Sequence, residues 1–406
     1  MKRILFKIQK FPQLSETFIV NQMVIAIKLG YEVRILTEEI CDINQNANQE
    51  IFEEFGLKEK LILEDYEIPV TKLRRTLKAV GLILKRPDLL GAFLKFYHNC
   101  DRKGFLPIYQ FYFYTSFYNY DIIHIQFGTN KSPVDVLKKT GFLKSRIITS
   151  FHGHDLHFPI NNMIPAKGYY DDLFKIADIL VCNTPFLKRK LKVLNAPEQK
   201  IRIVPVTVNT RYFKPVVEST KKNDEVKLIT IGRLDELKGQ AYGIKAVDIL
   251  IKKGLNVKYI LAGTGEYQEK LKKLVGDLGL NQSVYFKGRV SQSQVCRLLQ
   301  ESDIFLMTSV TNDVGMQESQ GLVTAEAQAC GLPIVAFDTG GVKYTLINGK
   351  TGFLCKEKDL KDFSSKIEML IKDSVLREEM GINARKFIEE EYSEVSVMDK
   401  WKEIYG

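Results

Sequence analysis

The chain has 406 residues, of which 45% are hydrophobic and 27% charged, and its formal net charge is +10. The length exceeds one ordinary globular core and the composition is not that of a disordered chain, so two domains with separate cores are expected. No run approaches the roughly 18 consecutive apolar residues of a membrane span, and the positive charge favours an anionic partner.

The opening MKRILFKI could imitate a secretion signal, but Lys7, Gln9 and Lys10 interrupt it and no small-residue cleavage site follows. Ile4–Ile8 is read instead as a buried first strand. Cys41, Cys100, Cys182, Cys296, Cys330 and Cys355 are scattered without CxxC spacing, which argues against a disulfide framework or zinc site and points to the cytosol. Ser15 is a suitable N-cap for a helix running to about Leu29, with Gly30 closing it and Tyr31–Leu36 as the second strand. Further strands are expected at Asp121–Gln126, Arg146–Ser150, Ile179–Cys182 and Ile201–Val204. The aromatic stretch Phe105–Tyr120 fits a buried helix better than a platform for stacking an acceptor.

Between Lys72 and Lys103 stand nine basic residues against Asp88 and Asp101, interleaved with leucines. Two readings are open: a solvated helix pair packed on its domain, or a basic amphipathic segment lying on an anionic membrane surface.

Residues 206–222 look like a linker between an N-terminal domain, 1–205, and a second domain, 223–385. There the alternation resumes: strands Lys227–Ile231, Lys258–Ala262, Ser283–Lys287, Ile304–Met307 and Ile334–Phe337, separated by helices including Leu322–Ala329. A last helix, about Ser374 to Tyr405, is long enough for residues 386–406 to cross back to the first domain. Such alternation predicts an α/β protein: two Rossmann-like domains with parallel sheets facing across a cleft, ligand lying at the C-terminal strand ends.

Two segments of the second domain carry chemistry. Glu318 and Glu326 flank the start of the Leu322–Ala329 helix. Gly321 and Leu322 would present backbone N–H groups at its positive end, which suits a diphosphate. Glu326 could accept hydrogen bonds from ribose hydroxyls, and Glu318 could reach a sugar ring. The plainer alternative is ordinary acidic capping of a helix. In the loop Gly232–Gly239, Arg233 and Lys238 sit where a leaving diphosphate needs positive charge.

With these residues in view the chain resembles the retaining glycosyltransferases of family 4, along most of its length. GRLDELKG (232–239), LAGTGE (261–266), FKGRVS (286–291), ESQGLVTAEAQACGLPIVA (318–336) and GGVKYTLINGKTGFL (340–354) follow in the family's order. SETFI (15–19), IHIQFG (123–128) and SFHGHDLH (150–157) resemble its exopolysaccharide and capsular type, and RIVPVTVNTRYFKP (202–215) resembles the segment closing the first domain. The resemblance implies the GT-B fold and transfer from a nucleoside-diphosphate sugar, UDP first and GDP next, to a glycan or lipid-linked acceptor, with retention. Arg233 and Lys238 would hold the diphosphate, Glu326 the ribose, Glu318 the transferred sugar, and Gly288, Arg289 and Val290 the base. His152 matches the histidine facing the sugar, with Asp155 fixing its loop, while His124 is read as packing at its strand's end. Gln126, Gln320 and the pair Lys343–Tyr344 depart from the family's usual residues. No Asp-x-Asp occurs, so no metal is expected to bridge the diphosphate. Acceptors of the family's SETF type often sit on membrane-bound carriers, which implies a cytoplasmic enzyme able to work at the inner face of the cell membrane.

Three rivals of other classes were weighed. A nucleotide-sugar epimerase would need no acceptor, a non-catalytic partner subunit would not need the charged set, and a nucleic-acid binder would show stacking or helix-turn-helix signatures that are missing.

Overall fold

The computed structural model describes residues 1–13, 16–42, 49–160, 164–216 and 225–406. The chain forms two compact units: residues 1–182, 188–203 and 401–406 in one, 183–187 and 204–400 in the other.

The first unit alternates β1 (Arg3–Phe11), α1 (Thr17–Lys28), β2 (Glu32–Ile40), α2 (Gln49–Glu54), β3 (Leu61–Leu63), α3 (Lys72–Lys85), α4 (Leu90–Asn99), α5 (Leu106–Tyr114), β4 (Ile122–Gln126), α6 (Val134–Lys139), β5 (Arg146–Phe151), α7 (Asp171–Ile176), β6 (Ile179–Cys182), α8 (Pro185–Val193) and β7 (Ile201–Ile203). Its seven strands lie in the order β3-β2-β1-β4-β5-β6-β7, and every pairing is parallel. Strands covered on both faces tend to continuous apolar runs, as β6 (ILVC) does, whereas β4 (IIHIQ) is buried at all five residues but carries the polar His124 and Gln126. The expected N-cap Ser15 lies outside the described residues. α5 is buried through Tyr109, Phe111, Tyr112 and Tyr114, so the aromatic stretch is core.

The second unit continues with β8 (Val226–Ile231), α9 (Gln240–Lys252), β9 (Val257–Ala262), α10 (Gln268–Asp277), β10 (Val284–Gly288), α11 (Gln292–Gln300), β11 (Ile304–Met307), α12 (Leu322–Ala329), β12 (Ile334–Phe337), β13 (Gly352–Cys355), α13 (Leu360–Lys372), α14 (Ser374–Glu391) and α15 (Glu394–Tyr405). The six-stranded sheet runs β10-β9-β8-β11-β12-β13. Alternate residues feed its two faces: Leu228, Ile304 and Leu306 enter one core, while Ile229, Phe305 and Met307 enter the other. Both sheets thus share a strand order that reverses direction beside the first strand, and both units are Rossmann-like.

Several boundaries differ from the sequence reading. The last helix is two helices, because the Ser393 hydroxyl accepts the Ser396 amide at 3.2 Å and starts α15 afresh. Tyr392 and Ser393, at the break, pair with Val208. Val208 and Phe213 are buried in the second unit's core, so the described part of the expected linker packs as folded structure. The short edge strand β3 carries too few residues to show a period.

Lys7, inside β1, is 1% exposed. It forms an ion pair with Glu64, whose Oε1 also accepts the hydroxyls of Tyr66 (2.5 Å) and Tyr114 (2.6 Å). A buried ion left without its partner is costly, so Lys7→Met should destabilise the protein by about 3–5 kcal/mol. Adding Glu64→Gln should recover part of that, and urea unfolding of the single and double variants measures both.

Candidate functional site

In an open parallel sheet, ligands bind beyond the carboxyl ends of strands where the order reverses. In the second unit that point lies between β8 and β11, which pair directly. The loops leaving these two strands are Gly232–Gly239 and Thr308–Gly321, the segments that hold Arg233, Lys238 and Glu318.

The two loops are tied together. Thr308 Oγ1 donates to the Lys238 carbonyl at 2.7 Å and the Val310 amide to the Leu237 carbonyl at 2.9 Å. Gly239, at φ +59°, permits that approach, since a Cβ there would stand 2.2 Å from the Thr308 carbonyl oxygen. Held in this way, the Lys238 ammonium pairs with Glu318 Oε2, the two side chains being 20% and 13% exposed. Ser309 Oγ donates to the same oxygen at 3.4 Å, and the Glu318 carbonyl accepts the Gly341 amide at 2.7 Å. Burial alone would push the Glu318 carboxyl up, but the ammonium and these donors outweigh it and hold the group below its ordinary value, as a carboxylate.

The helices of this unit begin in different ways. Ser291, Asp359 and Asp373 cap α11, α13 and α14 with side-chain oxygens. By contrast α9 and α12, the two helices leaving the reversal point, begin at left-handed glycines, Gly239 and Gly321, which offer no side-chain cap. Neither helix has an acidic residue in its first turn. Their first amides and positive dipole ends are therefore left for an anion to satisfy.

Glu326, one turn into α12, is half-buried without a cationic partner, and desolvation raises its carboxyl to about 8. Arg233 shares a loop with Lys238 but behaves differently: its side chain is 76% exposed and rests 3.5 Å from Asp235 Oδ2. Gly288, at φ +66°, ends β10 where the register shifts, and its carbonyl accepts the Gly263 amide at 2.8 Å. Arg289 is exposed and Val290 half-buried, on the loop of the edge strand and away from the β8–β11 reversal. The sequence reading did not single out Thr308, Ser309 or Gly341 for the site; Gly341 lies in a quoted motif, but nothing local marks its bond to Glu318. Gln320 is buried and points away from the loops, its amide pairing with the Val206 backbone at 3.0 and 3.4 Å.

In the first unit the corresponding reversal lies between β1 and β4. His152, just after neighbouring β5, is held by a buried Asp155 whose carboxylate accepts the amides of His152 (3.1 Å), Gly153 (3.0 Å) and Gly128 (2.9 Å). Its ring packs between Phe18 and Phe127, at centroid distances of 4.6 and 4.8 Å. Nε2 lies 2.9 Å from Gln126 Oε1. Burial lowers the His152 imidazole to about 3, so it is neutral at physiological pH. His124 is fully buried and bonded to Ser150 and Tyr405, in keeping with a packing role.

Residues 215–387 match the model of the family described as glycosyl transferases group 1. Over that segment, 173 of the 406 residues, the chain is similar to the group 1 glycosyltransferases. The amylovoran biosynthesis glycosyltransferase AmsK of Erwinia amylovora is 27% identical over 97% of this chain and 96% of its own length. The putative colanic acid biosynthesis glycosyltransferase WcaL of Escherichia coli K12 is 26% identical over 89% of each. Among solved structures, Anabaena HepE in complex with UDP and glucose superposes with a TM-score of 0.70, at 18% identity, over 100% of this chain and 99% of its own. That likeness shows the fold, which is GT-B.

The state of Glu326 gives this protein a pH signature. In the unfolded chain its carboxyl ionises near its ordinary value of 4.5, whereas the folded chain keeps the proton until about 8. Folding is therefore penalised progressively as pH rises through that window and the penalty is constant above it. The fall in melting temperature between pH 5 and pH 8 should be smaller in Glu326→Gln than in wild type, as calorimetric scans at matched ionic strength will read.

Proposed function

We propose that this glycosyltransferase moves a sugar from a nucleoside-diphosphate donor, UDP before GDP, onto a glycan or lipid-linked acceptor during surface polysaccharide synthesis, with retention. The observation that carries it is the pair of uncapped helix starts beside Lys238 and Glu318. Together they offer amides and an ammonium to a diphosphate, and a carboxylate to sugar hydroxyls. Glu326, protonated and half-buried, suits the ribose diol because it can both donate and accept. Arg233 has a side chain free to swing toward the phosphates. The UDP complex of the structural neighbour supports UDP as carrier, and the polysaccharide names of the two relatives support the pathway.

In this reading the negative charge that grows on the departing diphosphate is met by Lys238 and the amides of α9 and α12 rather than by a bridging metal. The acceptor attacks from the leaving group's own face, and a phosphate oxygen takes the acceptor proton as the C–O bond breaks. A product with inverted anomeric configuration, or a trapped covalent glycosyl-enzyme, would overturn that step.

Calorimetric titration with UDP, GDP, ADP and TDP should find one nucleotide that binds selectively, weakened at least tenfold by Glu326→Ala. Lys238→Met should lower turnover by about 10²–10³. If no nucleotide binds, the donor site is defunct and a scaffolding role takes its place.

The acceptor side rests on α3. Leu73, Leu77, Val80 and Leu84 recur at helical spacing and are exposed, Leu73 and Leu84 at 72%. Exposed Lys72, Arg74 and Lys85 flank them and make no ion pair among the described residues, while Arg75 and Lys78 bond to the adjoining segment at Glu67–Val70. An apolar stripe with basic margins suits an anionic bilayer surface, where a lipid-linked acceptor would be met. No described helix is long and apolar enough to cross a membrane. The protein should float with vesicles containing anionic lipid in a salt-sensitive manner, and Leu77→Glu with Leu84→Glu should abolish flotation; indifference to lipid charge and salt would remove the membrane from the proposal.

A further inference from the structure

A line of buried polar side chains runs through the first unit beneath His152. Gln22 on α1, His124 and Gln126 on β4, and Ser150 on β5 are each no more than 5% exposed. Gln126 Oε1 lies 2.9 Å from His152 Nε2, and Gln126 Nε2 donates to Gln22 Oε1 at 2.8 Å. Gln22 Nε2 donates to the Tyr405 hydroxyl at 3.3 Å, that hydroxyl lies 3.0 Å from His124 Nδ1, and His124 Nε2 lies 2.8 Å from Ser150 Oγ.

The chain has a direction. A carbonyl oxygen only accepts, so His152 Nε2 must carry the proton it gives to Gln126. Gln126 and Gln22 each accept on one side and donate on the other. The Tyr405 oxygen, already accepting from Gln22, turns its own proton to His124 Nδ1, which leaves His124 Nε2–H to donate to Ser150. Turning one amide over would force every other link to reverse, so the links hold one another in register.

We propose that Gln126, aligned by Gln22 and Tyr405, is a positioning residue that fixes His152 as the Nε2–H tautomer, with Nδ1 as the ring's acceptor. Phe18 and Phe127 fix the plane of the ring and Gln126 fixes which nitrogen carries hydrogen. In that form any hydroxyl hydrogen bond that reaches Nδ1 is received by the ring instead of given, which restricts the sugar hydroxyl orientation it can accept. The inference rests on the proposed transferase reading only for that last consequence; the tautomer itself is a property of the resting protein.

The test is a long-range ¹H–¹⁵N correlation spectrum of the full chain labelled at histidine, with His152 assigned by loss of its signals in His152→Gln. Expected in wild type at pH 7 is a single neutral His152 form with the proton on Nε2 and the unprotonated shift on Nδ1, and the same form for His124. Gln126→Leu, which removes the accepting oxygen, should shift the His152 tautomer ratio about fivefold toward Nδ1–H, the worth of one hydrogen bond. Gln126→Glu, which keeps an oxygen facing Nε2, should hold the Nε2–H form. A wild-type His152 protonated on Nδ1 overturns the proposal without any variant having to fold, as does an unchanged ratio in a folded Gln126→Leu. Because no turnover is needed, failure here is distinct from failure of nucleotide binding in the titration, which bears on the function instead.

Discussion

The constraint on which the rest depends is the reversal of strand order beside the first strand of each sheet. Right-handed crossovers place the helices after β8 and β11 on opposite faces of the sheet, so neither helix lies over the strand ends between them. Two loops must meet there closely, and a left-handed glycine at 239 is what lets the backbone of one touch the carbonyl of the other. Once the loops are joined, the starts of α9 and α12 lie on the loops bounding that gap. Lys238 and Glu318 follow from the same geometry, one on each loop, and close enough to pair. The first unit uses the reversal differently: its strand ends near β4 and β5 present ring faces and a held imidazole rather than bare amides.

Burial then decides which groups are charged. Glu318 and Glu326 both sit in poorly solvated places, yet they take opposite states. Glu318 has an ammonium beside it and stays ionised; Glu326 has none and holds its proton to about 8. His152, surrounded by phenyl rings, is likewise kept neutral. On the proposed reading, a diphosphate at the strand ends of the second unit meets one paired cation, two helix starts without side-chain caps and the neutral Glu326 carboxyl.

Much of this was legible in the sequence because it is written in short-range signals. Buried parallel strands show as apolar runs, so Ile179–Cys182, Ile304–Met307 and Ile334–Phe337 were placed to the residue. The left-handed glycines at 239 and 321 stand at strand–loop–helix junctions, which is where a phosphate-binding turn is sought. What escaped depends on distant partners. That Ser393 restarts a helix is set by its pairing with Val208, some 185 residues earlier in the chain. Gln320, which in the sequence shows only as a departure from the family's usual residue beside Gly321, has a side chain that completes a backbone pairing with Val206. Arg233 and Lys238 looked equivalent in the loop, and only the fold separates an exposed side chain from a half-buried, paired one.

The polar line from Ser150 to His152 escaped for the same reason: its members come from α1, β4, β5 and the end of α15, and no local spacing relates them. An apolar interior of equal volume would hold the sheet at least as well, since buried polar groups gain little net stability from their hydrogen bonds. What such groups give that leucines cannot is orientation. Two amides, each with one end that donates and one that accepts, convert the placement of a tyrosine hydroxyl into the placement of a proton on a histidine three links away. The same logic governs Lys7, Glu64, Tyr66 and Tyr114, where one ammonium and two hydroxyls converge on a single buried carboxylate. In both clusters the expense of desolvation is set against a single permitted arrangement, and in the His152 line that arrangement ends at the strand-end position where a Rossmann-like sheet presents side chains to a ligand.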